Sequence, residues 1–287
     1  MHVAELWRYP VKSMAGELLA ETAMRIDLSG RTAFVSGSTQ GIGRVIAARL
    51  AAAGAATTIN GRDPDRVGAV VDELRAADPD ARIDGIAADV ATAAGADAVL
   101  AARPAVDLLV NNLGIFAPTP VLEIDDATWQ RFWDVNVMSG IRLARGYLPG
   151  MRDRRFGRVQ FMASDSAVVI PEEMVHYGVT KTALLGLSRG LAKAMAGTGV
   201  TVNAVMAGPT HTEGVEDFVR TLVGDDLPWE EAQAEFMRTH RPHSLIQRLI
   251  EPDEIANMVA YLCSEHASAT TGGALRVDGG YVDYIVP

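Results

Sequence analysis

Tyr177 and Lys181 lie four positions apart in the stretch HYGVTK, residues 176–181. If the stretch is helical, the two side chains share one face, because positions i and i+4 lie one above the other. A tyrosine hydroxyl has a pKa of about 10 and gives up its proton reluctantly at neutral pH, and a fixed cation beside it lowers that pKa. The pair could therefore move a proton to or from an oxygen atom. The same spacing is also typical of a solvated helix surface, so the choice depends on the rest of the chain.

A second chemical pattern is a cluster of glycines in SGSTQGIGR, which follows the apolar run TAFVS at 32–36. Glycine lets the backbone turn tightly and lets an anion approach a helix N-terminus, where unpaired N–H groups and the helix dipole favour it. A structural turn would look similar, but the position at the first strand–helix junction favours nucleotide binding. The residues expected to bind the cofactor here are Gly37, Ser38, Thr39, Gln40, Gly41, Ile42 and Gly43.

The elements that would position these residues are short apolar runs rich in β-forming residues, which alternate with longer helical patterns. The predicted strands cover 32–36, 56–60, 83–89, 106–112, 158–163, 200–206 and 274–280. Such an alternation predicts an α/β protein with a Rossmann-type, doubly wound parallel sheet of seven strands and helices on both faces.

The alternation fails between Gly208 and Glu251, where about forty residues separate a strand from the next helix, far more than a usual connection. We expect a lid over the substrate at 210–250. It would belong to a single domain covering 25–287, preceded by an N-terminal extension at 1–24.

Composition narrows the class of protein. The chain has 287 residues, 48% of them hydrophobic and 22% charged, which allows a large buried core and excludes disordered and fibrous classes. A net charge of -10 argues against nucleic acid and anionic membranes as partners. The single cysteine, Cys263, cannot form an internal disulfide, and we find neither a signal peptide nor a long apolar run. These features predict a cytoplasmic protein.

Five motifs in register resemble the signatures of the short-chain dehydrogenase/reductase family. They are Ser36-Gly37-x-x-x-Gly41-x-Gly43, Asn111-Asn112-Leu113-Gly114, Asn136 in DVNV, Ser164, and Tyr177-x-x-x-Lys181. The resemblance covers residues 25–287. It implies an NAD(P)-dependent oxidoreductase that transfers a hydride between nicotinamide and a ketone or secondary alcohol.

The resemblance also implies four catalytic residues, namely Asn136, Ser164, Tyr177 and Lys181. Tyr177 would be the acid in reduction and the base in oxidation, with Lys181 and the oxidised nicotinamide favouring its phenolate. Ser164 would hydrogen-bond the substrate oxygen, and Ser166 is the other candidate. Lys181 would also contact the nicotinamide ribose, and Asn136 would join a water-mediated proton relay. A local helix kink is the alternative for Asn136, because asparagine competes with the helix backbone.

Further cofactor contacts are implied by the same resemblance. Asp89 would face the adenine, although a strand-end turn explains it nearly as well, and Thr212 would contact the nicotinamide side. The full set beyond the glycine loop is Arg62, Asp89, Val90, Asn112, Gly114, Tyr177, Lys181, Gly208, Pro209, Thr210 and Thr212.

The choice of dinucleotide depends on the end of the second strand, TTINGRD. An acidic residue there binds the ribose 2′-hydroxyl of NAD, whereas an arginine accommodates the 2′-phosphate of NADP. Gly61 stands where an NAD-selective member has Asp, and Arg62 offers a planar fork of donors. We therefore expect NADP(H). NAD(H) stays the alternative, because Asp63 could reach the ribose and Gln40 stands where a basic residue is common.

Two other functions stay open. One is a 3-oxoacyl-carrier-protein reductase-like enzyme with Arg154 and Arg155 at the carrier, although the negative net charge counts against an acidic partner. The other is a dinucleotide-binding regulator that no longer catalyses, which predicts the loss of Tyr177, Lys181 or Ser164; all three are present. By the same resemblance we expect a homotetramer or homodimer that acts on a small carbonyl or alcohol.

Three features fall outside this scheme. Residues 3–19 resemble the opening of the N-terminal β-barrel domain that precedes MOSC domains, but they are too few to form a barrel. His240 and His243 form an H-x-x-H pair that a proline interrupts, and with no third ligand evident we expect no metal. His176 points about 100° away from Tyr177 on a helix, so we expect it on the helix surface or at the substrate rim.

Overall fold

The computed structural model describes residues 25–224 and 226–285, together with the backbone of 6–8 and 17–19. Strands β1 (Leu6–Arg8) and β2 (Glu17–Leu19) pair antiparallel as a separate two-stranded sheet. The rest of the 3–19 stretch, and with it the resemblance to a barrel domain, lies outside the described residues.

The central sheet has seven parallel strands in the order β5-β4-β3-β6-β7-β8-β9. The strands are β3 (Thr32–Val35), β4 (Ala56–Gly61), β5 (Ile83–Ala87), β6 (Leu108–Asn111), β7 (Gly157–Ser164), β8 (Val200–Ala207) and β9 (Ala274–Val277). This order confirms the predicted Rossmann-type doubly wound sheet.

Helices connect the strands and cover both faces of the sheet. They are α1 (Gly41–Ala52), α2 (Pro64–Ala77), α3 (Ala93–Ala102), α4 (Asp126–Trp133), α5 (Ser139–Asp153), α6 (Val175–Ala194), α7 (Glu213–Val223), α8 (Trp229–His240) and α9 (Pro252–Cys263). A π-helical turn at Asp134–Met138 joins α4 to α5.

The strands are apolar on both faces because helices cover both. Successive residues alternate between two cores: Val35 and Val110 pack with α1, α2 and α9, whereas Phe34 and Leu109 pack with α3, α5 and α6. Because successive side chains of a strand point to opposite faces, both faces of the sheet are buried.

The order of the strands reverses at β3, which lies between β4 and β6. The connections after β3 and β6 leave the sheet on opposite sides, and this opens a crevice at its carboxyl edge, where ligands of such sheets bind. The helix that starts at this crevice is α1.

The long excursion predicted after β8 consists of α7 and α8. We call residues 210–250 the α7–α8 segment. Its two ends meet, because the His211 N–H donates to the Ile250 carbonyl (2.8 Å) and the Ile250 N–H donates to that of Pro209 (2.9 Å). The segment has a small core of its own around Val219 and Phe236.

The expectation that His176 lies at the surface or the substrate rim is wrong. Its side chain is fully buried, with the imidazole centroid 3.9 Å from that of Phe132 and 6.1 Å from that of Trp129. The reason is that α4 packs over this face of α6, which helical spacing within α6 cannot reveal. Among the described residues, no helix combines the length and the apolar character needed to cross a membrane.

Candidate active site

A cavity of about 830 Å³ lies at the carboxyl edge of the sheet, between the strand ends and α7. Every one of β3, β4, β5, β6, β7 and β8 is followed by residues that line it. The parallel sheet thus gathers residues that are far apart in sequence into one site.

The glycine loop after β3 forms one wall of the cavity. Gly37 and Gly41 have φ angles of +61° and +54°, which glycine adopts without strain. A Cβ atom on Gly43 would lie 2.5 Å from the Gly37 carbonyl oxygen and would also overlap the Asn112 amide. The side chain of Gln40, the N-cap residue of α1, makes no capping hydrogen bond to the described residues. The first N–H groups of α1 are therefore available to an anion.

Asparagine and serine side chains hold this loop in place. The Asn112 Nδ2 group donates to the carbonyls of Ser36 (3.1 Å) and Gly37 (2.9 Å). Asn60 Nδ2 donates to the carbonyls of Ile86 and Ala88, both at 3.0 Å, and so ties β4 to β5. The loop is thus preorganised by side chains that are themselves hydrogen-bonded.

Ser38 differs from the rest of the loop. Its side chain is fully buried, and its hydroxyl donates to the Val35 carbonyl at 2.7 Å while accepting from the Asn60 N–H at 2.9 Å. It does not line the cavity, in contrast to Gly37, Thr39, Gln40, Gly41, Ile42 and Gly43. Both hydrogen bonds of the Ser38 hydroxyl are made within the protein. This position therefore gives no support to the predicted direct contact between Ser38 and the cofactor.

Tyr177 and Lys181 line the cavity from α6, as their spacing predicts. The Lys181 Nζ lies 5.5 Å from the centre of the Tyr177 ring and donates to the Met162 carbonyl at 2.8 Å. Gly114 keeps this corner open, since a Cβ there would lie 3.2 Å from that Nζ. The ammonium is therefore fixed by β7 beside the phenol.

Burial dominates the electrostatics of this pair. It raises the pKa of Tyr177 to about 12, against a lowering contribution from the Ser164 hydroxyl, and the Asp165 carboxylate adds to the rise. Burial also lowers the pKa of Lys181 to about 8. The expected net lowering of the tyrosine pKa is therefore absent in the protein alone, because desolvation of the phenolate outweighs the lowering by the Ser164 hydrogen bond and the Arg241 charge.

Ser164 ends β7 and faces the cavity together with Asp165 and Ser166. The Ser164 hydroxyl donates to Asp165 Oδ1 at 2.9 Å, and the Ser166 hydroxyl donates to the same oxygen at 3.2 Å. Both serines predicted as alternatives thus lie at the site, held by one carboxylate.

Asn136 lies behind the cavity and does not line it. Its Oδ1 accepts from the Ile115 N–H (2.8 Å), and its Nδ2 donates to the Ile115 carbonyl (3.0 Å) and to Thr180 Oγ1 (3.0 Å). It also belongs to the π-helical turn, so a local irregularity of the helix is present as the alternative interpretation predicted. Its contacts link the loop after β6 to α6.

The far end of the cavity is formed by the ends of β4 and β5. Arg62, Asp63 and Arg66 line it, and the Asp63 carboxylate caps α2 by accepting from the N–H groups of Asp65 (2.9 Å) and Arg66 (3.2 Å). Asp89 accepts from the Ala91 N–H at 3.1 Å, which is the predicted strand-end turn. Asp89 and Val90 also line the cavity, as do Asn112 and Gly114.

Another wall of the cavity comes from the α7–α8 segment and the residues that lead into it. Phe116 packs edge-on against both Tyr177 and Phe218, with ring centroids 6.2 Å and 6.0 Å apart. Thr212 lies against the glycine loop, since a Cβ on Gly41 would lie 3.6 Å from its Cγ2. The predicted residues Gly208, Pro209, Thr210 and Thr212 all line this wall.

Sequence reasoning did not single out several charged residues that line the cavity, among them Arg66, Asp165 and Arg241. Arg66 follows Arg62 by four positions, in the first turn of α2, and a second arginine so close to the strand end is a signal that could have been used. Asp165 stands between the two candidate serines. Arg241 lies inside the H-x-x-H stretch, but its approach to the cavity depends on the path of α8, which the sequence does not reveal.

Arg154 and Arg155, the possible carrier-protein contacts, lie away from the cavity. They precede β7 at the amino end of the sheet, where Arg154 donates to the Val106 carbonyl (2.8 Å) and Arg155 adopts a φ of +57°. The cavity opens at the opposite, carboxyl edge. The eight residues of β7, an extent of about 26 Å, separate the two places.

Comparisons with known proteins agree with this geometry. The family model described as enoyl-(acyl carrier protein) reductase matches residues 37–282. The uncharacterized oxidoreductase YvaG of Bacillus subtilis is 49% identical over 260 residues, which cover 90% of this chain and 98% of that protein. The 3-oxoacyl-[acyl-carrier-protein] reductase FabG of Aquifex aeolicus is 31% identical over 261 residues, 90% of this chain and 99% of that one. The crystal structure of L-sorbose reductase from Gluconobacter frateurii, complexed with NADPH and L-sorbose, is 34% identical, covers 91% of this chain and 100% of that chain, and superposes with a TM-score of 0.85.

Proposed function

Since the chain belongs to the short-chain dehydrogenase/reductase family and is an NAD(P)-dependent oxidoreductase, we propose that Tyr177, Ser164 and Lys181 carry its chemistry at the cavity. The observation that supports this most strongly is the convergence of these three residues, from β7 and α6, on the cavity that the glycine loop borders. The reaction interconverts a ketone and a secondary alcohol.

Tyr177 is the proton donor in reduction. Its pKa of about 12 keeps the hydroxyl protonated at neutral pH, so it can give a proton to the oxygen of the carbonyl as negative charge develops there. Ser164 donates a second hydrogen bond to that oxygen, turning from Asp165, its present acceptor. When bound, the nicotinamide supplies or accepts the hydride.

Lys181 and Asn136 act around the tyrosine. The Lys181 ammonium stabilises a phenolate at Tyr177 and has N–H groups beyond its bond to Met162 for a ribose. Asn136 is a positioning residue that ties the Ile115 backbone, in the loop after β6, to Thr180 of α6. A water chain beside it would return the proton to Tyr177.

The chain's own residues fit a dinucleotide. Glycine is required in the loop because a Cβ on Gly37 or Gly43 would overlap Leu113 or Asn112, and the start of α1, where the Gln40 side chain makes no capping hydrogen bond, offers N–H groups to a pyrophosphate. Asp89 and Val90 line the cavity directly after β5, where an adenine would fit. Thr212 lines it beside the glycine loop.

NADP(H) is the proposed dinucleotide. Arg62 and Arg66 both line the far end of the cavity, and two guanidinium groups suit a 2′-phosphate. Asp63, the residue that could have favoured NAD, is engaged as the cap of α2. The solved relative from Gluconobacter frateurii, complexed with NADPH, supports the same choice.

The cofactor assignment is tested by Arg62→Ala. Loss of one charged hydrogen bond of about 1.5–3 kcal/mol should raise the KM for NADPH by roughly one to two orders of magnitude and leave that for NADH almost unchanged. Arg44→Ala is the matched control, because Arg44 pairs with Glu73 on the surface and does not line the cavity. An unchanged KM for NADPH would remove Arg62 from the site and favour NAD.

A small polar ketone is the proposed substrate, with the α7–α8 segment as the lid of a single domain. L-sorbose in the solved relative is a precedent for such a substrate, and the Aquifex aeolicus relative keeps an acyl-carrier substrate as the second candidate. Assay of a panel of ketones and alcohols with both cofactors, followed at 340 nm, distinguishes them. Turnover of none of the panel would favour the non-catalytic regulator.

A homodimer or homotetramer is the proposed assembly. Trp133 on α4 and Val179 on α6 are exposed large apolar residues on the two helices that flank the site, and Leu122 nearby is 97% exposed. Contiguous exposed apolar patches commonly mark contact surfaces between proteins. A monomer in light scattering would contradict the proposal.

A further inference from the structure

Two buried charges, Asp165 and Arg241, line the substrate side of the cavity and have no part in the reaction derived above. The Asp165 side chain is 3% exposed and that of Arg241 is 7% exposed. Charged side chains are almost never buried to this extent unless they are paired. Each therefore needs a partner.

Asp165 is only half satisfied. Its Oδ1 accepts from the hydroxyls of Ser164 and Ser166, whereas its Oδ2 has no hydrogen-bond partner among the described residues. Burial raises the pKa of this carboxyl. Because it is adjacent to Ser164, a group that contacts Oδ2 also lies next to the reacting oxygen.

Arg241 lines the cavity from the position directly after α8. Its guanidinium lies between two rings, 5.4 Å from the centroid of Phe236 and 5.4 Å from that of Tyr281. The Nη1 group donates to the His240 carbonyl at 2.7 Å, while Nε is buried and has no partner among the described residues. The two rings hold the guanidinium in place, and its Nε N–H group remains without an acceptor among the described residues.

Asp165 and Arg241 do not satisfy each other. Among the described residues, no hydrogen bond or ion pair joins the two side chains, although both line the cavity. An acceptor of hydrogen bonds and a donor thus lie in the same cavity without completing each other. A buried pair of this kind costs free energy unless something polar completes it.

We propose that Asp165 and Arg241 form a hydroxyl-recognition pair, and that the substrate is a polyhydroxylated ketone whose hydroxyl next to the carbonyl lies between them. This inference rests on the proposed function, since the carbonyl must lie at Ser164 and Tyr177. A hydroxyl donates to Asp165 Oδ2 and accepts from the Arg241 guanidinium at the same time.

Other substrate classes fit the pair less well. A carboxylate would bind Arg241 but would face the Asp165 carboxylate, and like charges at such a distance repel. An alkyl or acyl chain would bury both charges without hydrogen bonds, which is costly. A hydroxyl satisfies the acceptor and the donor together.

The test compares three ketones with the same four-carbon skeleton: erythrulose, which is 1,3,4-trihydroxybutan-2-one, unsubstituted butan-2-one, and 3-oxobutanoate. The measured quantity is kcat/KM for erythrulose divided by kcat/KM for butan-2-one. This ratio cancels any effect of a variant on Tyr177 or the cofactor. We expect a ratio well above one, which Arg241→Gln and Asp165→Asn each lower by about 10- to 100-fold, as lost charged hydrogen bonds predict.

Arg238→Gln is the matched control. Arg238 lies on α8, three residues before Arg241, pairs with Glu235, and has a side chain that is 71% exposed. The same change of charge there should leave the ratio unaltered. If Arg241→Gln does not fold, Arg241→Lys keeps the charge but loses the fork, and a lowered ratio is expected for it as well.

Every other outcome overturns either the inference or the proposed function. A ratio near one in the wild type, or one unchanged in folded Arg241 and Asp165 variants, overturns the inference and leaves the proposed function intact. A preference for 3-oxobutanoate that Arg241→Gln abolishes overturns it in favour of a keto acid. Failure to reduce any of the three ketones while a cofactor binds overturns the proposed function, and the inference with it.

Discussion

Burial alone does not make a tyrosine reactive. Tyr147 and Tyr177 both have a pKa raised to about 12 by burial. Tyr147 lies in the core between α5 and the sheet, and its hydroxyl has no partner among the described residues. Tyr177 instead lines the cavity, with the Lys181 ammonium 5.5 Å from its ring. Tyr177 differs from Tyr147 because an ammonium group lies beside it and because it borders a cavity.

Tyr177→Phe tests that distinction. It removes the proton donor and leaves the glycine loop unchanged, so we expect turnover to fall by about 10²–10⁴-fold with cofactor affinity almost unaltered. A rate assay and a cofactor titration measure the two effects. Tyr147→Phe is the matched control and should retain full turnover. Turnover near that of the wild type in the Tyr177→Phe variant would refute the proposed acid.

The pKa of Lys181 predicts a pH dependence of reduction. Burial lowers that pKa to about 8, so the ammonium is charged below this pH and neutral above it, whereas Tyr177 stays protonated up to about 12. We expect kcat/KM for reduction to be constant near pH 6–7 and to fall as the pH rises through about 8. Lys181→Arg keeps its charge, and its residual activity should lack this step. A wild-type profile flat from pH 6 to 10 would contradict the role of Lys181.

At the scale of elements, patterns that repeat along the chain could be read from the sequence. Apolar runs and glycines predicted the strands, the glycine loop and the helical spacing of Tyr177 and Lys181, because each depends on neighbours in sequence. Contacts between distant elements could not be read. The burial of His176 depends on α4, and the position of Arg241 depends on the path of α8. These are consequences of packing, which local propensity does not contain.

His211 joins several elements of the α7–α8 segment. Its Nε2 lies 2.7 Å from Glu216 of α7, its Nδ1 lies 3.4 Å from Glu251 at the start of α9, and its ring stacks on Trp229 of α8 with centroids 5.4 Å apart. Burial disfavours the charged ring, but hydrogen bonds and charges from the two glutamates outweigh burial and raise the pKa of His211.

This arrangement predicts that the segment is more stable at lower pH. A histidine whose pKa is higher in the folded state stabilises fully below its unfolded pKa of about 6.5 and loses this contribution as the pH rises through the folded value. The ring is one-third exposed, so we expect about 0.2–1 kcal/mol. His211→Gln should therefore lower the melting temperature at pH 6 more than at pH 9. His266→Gln is the control, because that ring faces the Arg25 carbonyl rather than a carboxylate, and equal losses at both pH values for His211→Gln would contradict the prediction.

At the scale of the whole molecule, one parallel sheet brings the site together. All seven strands point the same way, so residues from 37 to 241 meet at one edge while Arg154 and Arg155 lie at the other. The order of the strands decides which side chains are neighbours. This explains why five short motifs spread over most of the chain predicted one site, and why Arg154 and Arg155 do not line it.

The boundary at residue 24 gives the last prediction. In the part of the chain that the structure describes, the core begins with Ile26 and Leu28. Leu28 is 1% exposed and its N–H donates to the Ala53 carbonyl at 2.7 Å, and the first strand of the main sheet begins at Thr32. Deletion of residues 1–23 should therefore preserve the circular dichroism spectrum and a cooperative melt. Leu28→Ala in the truncated protein is the positive control: a loss of about 2–5 kcal/mol should lower the melting temperature by roughly 4–20 °C. If the deletion itself abolished the cooperative transition, the front of the chain would be an integral part of the fold, because its loss would then remove contacts that the core needs.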